Sequence, residues 1–152
     1  MYKSILVPLD GSTLAENILT EIEALALLLK AKLNLILVSK AHVLPGVDPT
    51  EAQVRVVNTA NEYLEKIQNR LSAKNLEIEI HTPYGNPADK ILEVCRRHDI
   101  DLIAMSTHGR SGIGRWLLGS VAEKVVRHSE IPVLLLRSQD VDSRSASNGQ
   151  AA

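Results

Sequence analysis

Five short apolar runs, at 5–7, 33–38, 76–80, 102–105 and 133–136, recur along the chain, and a helical pattern stands between most consecutive pairs. Connections of this length are too long for hairpins, so each strand lies parallel to the next through a right-handed helical crossover. Helices then cover both faces of the sheet. The expectation is a doubly wound α/β fold with a five-stranded parallel sheet.

Local signals fill in this frame. Pro8-Leu9-Asp10-Gly11-Ser12 breaks the first run before a helix begins. Thr13 and Glu16 have capping-box spacing, and Leu14, Ile18, Ile22, Leu25 and Leu29 follow as one apolar helix face. Pro45, Gly46 and Pro49 mark an irregular connection from Ser39 to Thr50. Val54, Val57, Leu64, Ile67 and Leu71 then predict a long helix to about Ser72. Leu76, Ile78 and Ile80 alternate with Glu77 and Glu79, the pattern of a sheet-edge strand with one face in water. Asn86-Pro87 starts a helix that buries Ile91, Leu92 and Cys95 and ends near His98. Ser120 and Glu123 repeat the capping box, with Val121, Val125 and Val126 inward and Pro132 beyond the end.

A chain of 152 residues with 45% apolar and 23% charged residues fits one domain, placed at residues 1–137. Residues 138–152, with Val141 as their one sizeable apolar side chain, predict a disordered tail. Acidic and basic residues nearly cancel, 18 against 17, which leaves no global field to attract nucleic acid. Nowhere do 18 apolar residues run together and no leader pattern opens the chain, so the expected setting is the cytoplasm, without a membrane partner. Cys95 has no second cysteine to pair with. Histidines 42, 81, 98, 108 and 128 show no His-x-x-x-His pair, and no histidine metal site is expected from their spacing.

The stretch from Ser106 to Glu123 carries Gly109, Gly112, Gly114 and Gly119 between a strand and a helix. Glycines there let backbone amides converge on an anion, and the helix behind them adds its partial positive charge. Phosphate is the natural guest. A P-loop is excluded, because Arg115 and Trp116 stand where Lys and a hydroxyl residue are needed. In doubly wound sheets ligands sit beyond the carboxyl ends of the strands, where the winding reverses. With strand 1 central, Asp10 and the glycine loop share that crevice.

Ile5-Leu-Val-Pro-Leu-Asp10-Gly-Ser, Gly85-Asn-Pro87-Ala88, and Thr107-His-Gly109 with nine residues before Gly119-Ser120 together resemble the universal stress proteins over roughly residues 2–137. The resemblance implies the strand order 3-2-1-4-5, a homodimer and, in one subgroup, ATP or another adenine nucleotide. That subgroup's motif is Gly, two residues, Gly, nine residues, Gly, then Ser or Thr. Gly109, Gly119 and Ser120 match it, whereas Ser106 stands in place of the first glycine. Carried over, the resemblance puts Asp10 at a ribose hydroxyl or a phosphate-bound Mg²⁺, beside Pro8 and Leu9, and Val38 at the adenine edge. It puts Met105 and Ser106 at the ribose, Gly109 and Arg110 at the phosphates, and Gly119, Ser120, Val121 and Ala122 at the triphosphate.

These expectations describe an ATP-binding stress-response protein acting as a dimeric sensor or regulator. No general base, Walker lysine or activated nucleophile accompanies the anion cradle, so at most slow Mg²⁺-dependent hydrolysis is expected. The alternative is a nucleotide-free dimeric interaction module of the same fold. In either case the apolar last strand, Val133, Leu134, Leu135 and Leu136, is an edge that calls for a partner, and pairing with its own copy would satisfy it.

Overall fold

A computed structural model describes residues 1–40, 42, 45–107 and 118–137. Along them run β1 (Ser4–Leu9), α1 (Thr13–Glu16), α2 (Leu19–Leu29), β2 (Lys32–Leu37), α3 (Pro49–Ser72), β3 (Ile78–His81), α4 (Pro87–Arg97), β4 (Leu102–Ser106), α5 (Ser120–His128) and β5 (Val133–Leu136). The strands form one five-stranded sheet in the order β3-β2-β1-β4-β5, and every neighbouring pair is parallel. Fold class and strand order are as expected. The tail at 138–152 lies outside the described residues.

Alternating side chains of β1 divide the core. Ile5, Val7 and Leu9 pack with Ile18, Ile22, Leu64 and Leu71 on the side of α1, α2 and α3. Leu6 packs with Ile91, Val94 and Val125 on the side of α4 and α5. Burying each such side chain contributes about 1.5–3 kcal/mol, which holds both helical layers to the sheet.

Several local expectations are corrected. Pro8 does not break β1: the strand continues to Leu9, and Pro8 is paired in register with Ile36 of β2. Ser12, not Thr13, caps α1, its Oγ accepting from the Ala15 amide at 3.2 Å, and Asn17 and Ile18 separate α1 from α2. The long helix α3 begins at Pro49, inside the segment read as irregular. Asp48 caps it by accepting from the amides of Thr50 at 2.7 Å and Glu51 at 3.3 Å, so Pro49 opens a helix where proline needs no N–H. Those two bonds hold the Asp48 carboxyl below its ordinary range. Val54 is 53% exposed, because the inward stripe of α3 begins only at Ala60 and continues through Leu64, Ile67 and Leu71. On α5 the inward residues are Ala122 and Val125, while Val126 faces out.

Strand β3 is at the sheet edge, as its alternation predicts. Its polar face is not simply in water, since Glu79 and His81 lie against His98 at the C-terminal cap of α4. Among the described residues, no helix is long and apolar enough to cross a membrane.

Candidate functional site

The carboxyl end of β1 is where the winding reverses, with β2 on one side and β4 on the other. The carbonyl of Lys3 accepts from Lys32 beside β2, and that of Ser4 accepts from Asp101 beside β4. Continuing this alternation along β1 turns Pro8 toward β4. Proline has no N–H to give, and the paired residues of β1 and β4 are Ile5 with Leu102 and Leu6 with Ile103, before Pro8 is reached. The pairing to β2, in contrast, continues to Leu9. The two central strands part at Pro8, and a crevice of about 270 Å³ opens there. That is near the lower end of the roughly 300–1,000 Å³ usual for small-molecule sites.

Pro8, Leu9, Asp10, Val38, Met105, Ser106, Gly119, Ser120, Val121 and Ala122 all line this crevice. Gly109 and Arg110 lie outside the described residues. Ala15, Ile36, Pro87, Ile91 and Thr107 also line it, although the sequence reading did not assign them to the site. Pro87 could have been found, because it belongs to the Gly85-Asn-Pro87-Ala88 motif. Ile36, Ala15 and Ile91 carry only the signal of ordinary core residues.

Each wall has a local cause. Gly11 adopts φ 80°, a left-handed conformation that glycine reaches without strain, and so turns the chain sharply after β1. The turn brings both the amide and the hydroxyl of Ser12 to Asp10 Oδ1. Asp10 is thus fixed at the rim by the turn it makes. Nearby, the Tyr63 hydroxyl donates to Glu16 Oε1 at 2.7 Å. Burial pushes the Tyr63 phenol upward, with Glu16 and then the charge of Asp10 adding to the effect.

On the opposite wall, the Thr107 amide donates to the Leu136 carbonyl and the Gly119 amide to the Thr107 carbonyl, at 3.0 and 2.9 Å. The two ends of the glycine-rich segment are therefore pinned together beside the crevice. Gly119, rather than Ser120, is the N-cap of α5, and it makes no side-chain cap bond. Ser120, Val121 and Ala122 are then the first three helical residues, whose amides the helix itself does not engage. Gly119 has φ −59° and ψ 149°, open to any residue, so what its glycine offers is space. Ser106 ends β4 in register with Leu136 and is not among the residues with positive φ. Serine at this position therefore carries no backbone strain, although its Cβ occupies part of the wall.

The described lining carries one ionised side chain, Asp10, against the partial positive charge of a helix N-terminus. An apolar floor of Ile36, Val38, Ile91 and Met105 completes the arrangement. Such a crevice can hold a flat apolar ring deep inside, a polar linker at Asp10 and an anion at α5.

Comparison with known proteins agrees with this architecture. A universal stress protein of Methanocaldococcus jannaschii, MJ0531, is 31% identical over 144 residues, covering 90% of this chain and 83% of its own. The solved structure of MJ0577, from the same organism, superposes with a TM-score of 0.82 at 28% identity, covering 92% of this chain and 99% of that one. A universal stress protein crystallised in complex with cAMP has a TM-score of 0.63 at 26% identity, covering 91% and 98%. The sequence profile of the universal stress protein family matches residues 1–137, from the first strand through the last, and the chain belongs to that family.

Proposed function

We propose that the crevice binds an adenine nucleotide, ATP in the first place, and that the protein acts as a dimeric nucleotide-responsive regulator in the cytoplasm. The observation that carries this reading is the placement of Gly119, Ser120, Val121 and Ala122, the N-terminus of α5, across the crevice from Asp10. Amides at a helix start favour phosphate. The base packs between Val38, Ile36 and Ile91, the ribose meets Asp10, Met105 and Ser106, and the phosphates reach α5, Gly109 and Arg110. With a triphosphate, Asp10 also faces a nucleotide-borne Mg²⁺. The family relative solved with cAMP supports adenine as the base. Regulation is favoured over turnover because the sequence sets no Walker lysine and no recognisable nucleophile–base motif beside the glycine loop.

The test begins with purified protein, denatured to release any nucleotide for chromatographic identification. Wild type and Gly119→Val are then titrated with Mg-ATP, ADP and AMP. Wild type at 100 times its dissociation constant should gain about 2.7 kcal/mol of stability, seen as a raised melting temperature. Gly119→Val should lose most of that gain, since its branched side chain fills the wall without straining the backbone. Equal gains in both proteins would refute the cradle, and no gain in wild type would favour a nucleotide-free interaction module.

A further inference from the structure

Away from the crevice, four polar side chains from three separate stretches of the chain converge on the α4 face of the sheet. Glu79 and His81 are two apart on β3 and so share a face, and Asn34 stands beside Glu79 in register on β2. His98, the C-cap residue of α4, closes over them. His81 Nε2 lies 3.9 Å from Glu79 Oε1 and 3.1 Å from Asn34 Oδ1, and His98 Nδ1 lies 3.7 Å from the same Glu79 oxygen. The ligand atoms of Glu79, His81 and His98 all fall within 4.8 Å of one another. None of the four residues lines the crevice.

We propose that Glu79, His81 and His98, with the Asn34 carbonyl oxygen as a fourth donor, form a binding site for a divalent transition-metal ion of the zinc class. Donor atoms about 2.1 Å from a tetrahedral ion stand about 3.4 Å apart, close to the three separations above. The remaining closure falls to His98, whose side chain is 39% exposed and whose ring already lies 4.6 Å from that of His81. Two imidazoles and a carboxylate suit zinc, cobalt or nickel better than calcium or magnesium.

The surroundings orient the donors. Asn34 Nδ2 donates to Ser4 Oγ at 3.0 Å, which turns Oδ1 toward His81. Lys32 Nζ donates to Glu79 Oε2 at 2.6 Å, leaving Oε1 on the histidine side. Lys32 also lies 3.5 Å from Glu77, so two carboxylates face one ammonium and a local negative charge remains to attract a cation. Bound metal would tie the edge strand β3 to the end of α4.

The experiment uses the full untagged chain, stripped with a chelator and dialysed. It is titrated with zinc chloride by calorimetry and with cobalt chloride while d–d absorption is followed. Wild type should bind one ion per chain, and cobalt should show the intense visible bands of a tetrahedral nitrogen and oxygen site. His98→Ala, at an exposed position that the fold does not need, should weaken zinc binding by more than about tenfold. Glu79→Gln should do the same with its shape kept. His128→Ala, on α5 where the ring contacts the Lys124 carbonyl, should bind as wild type does. The proposal is overturned if wild type shows no saturable binding, or if His98→Ala and Glu79→Gln bind zinc as tightly as wild type.

Discussion

Cys95 shows how one position is set by packing. It is partly buried on α4 beside Leu92, and burial pushes its thiol up to about 11 from an ordinary 9.0, outweighing the opposing charge of Arg96. At neutral pH the folded chain should therefore carry about a hundredfold less thiolate than the unfolded chain. Alkylation by iodoacetamide at pH 7.5 should be correspondingly slow in the native protein and fast in urea. The native rate should keep rising beyond pH 9, where an ordinary thiol levels off. A native rate equal to the unfolded one would show that the side chain is open to water. Ser106 makes a related point at the site: it stands where the family motif has its first glycine, yet the backbone there is an ordinary strand.

Elements depend on which face their residues turn inward, and α3 provides a paired test. Leu64 is fully buried against the sheet, whereas Val54, one of the apolar positions that predicted the helix, is 53% exposed. Leu64→Ala should destabilise the fold by about 2–5 kcal/mol, whereas Val54→Ala should stay within about 0.5 kcal/mol. Urea unfolding monitored by circular dichroism compares them, and similar midpoints would contradict the described packing of α3. The helical spacing of Val54, Val57, Leu64, Ile67 and Leu71 made α3 legible, but its start was misplaced. Pro49 reads equally as a loop residue or as the first residue of a helix, and only the Asp48 cap decides between them. The same ambiguity affected Thr13 and Ser120, where the neighbouring Ser12 and Gly119 are competing caps separated by only about a few tenths of a kcal/mol.

At the scale of the whole molecule, β5 is the last strand of the sheet and all four of its residues are half-buried in the single chain. An apolar edge of this kind favours a partner, and strand pairing with a second copy would complete it. Sedimentation equilibrium at micromolar concentration should give a dimer mass, and Leu135→Lys should shift it toward monomer. A monomeric wild type would refute the pairing. By itself, the sequence determined the class of fold, because apolar runs separated by helical patterns leave a parallel sheet as the way to bury them. It also determined most of the crevice, because Asp10, Gly119 and Ser120 sit in local motifs that mark strand ends and helix starts. Tertiary structure alone decided the depth of the crevice, where Ile36 and Ile91 look like any core residue until two strands part at Pro8. It alone also assembled Asn34, Glu79, His81 and His98, since only β-sheet register and helix packing bring β2, β3 and the end of α4 together.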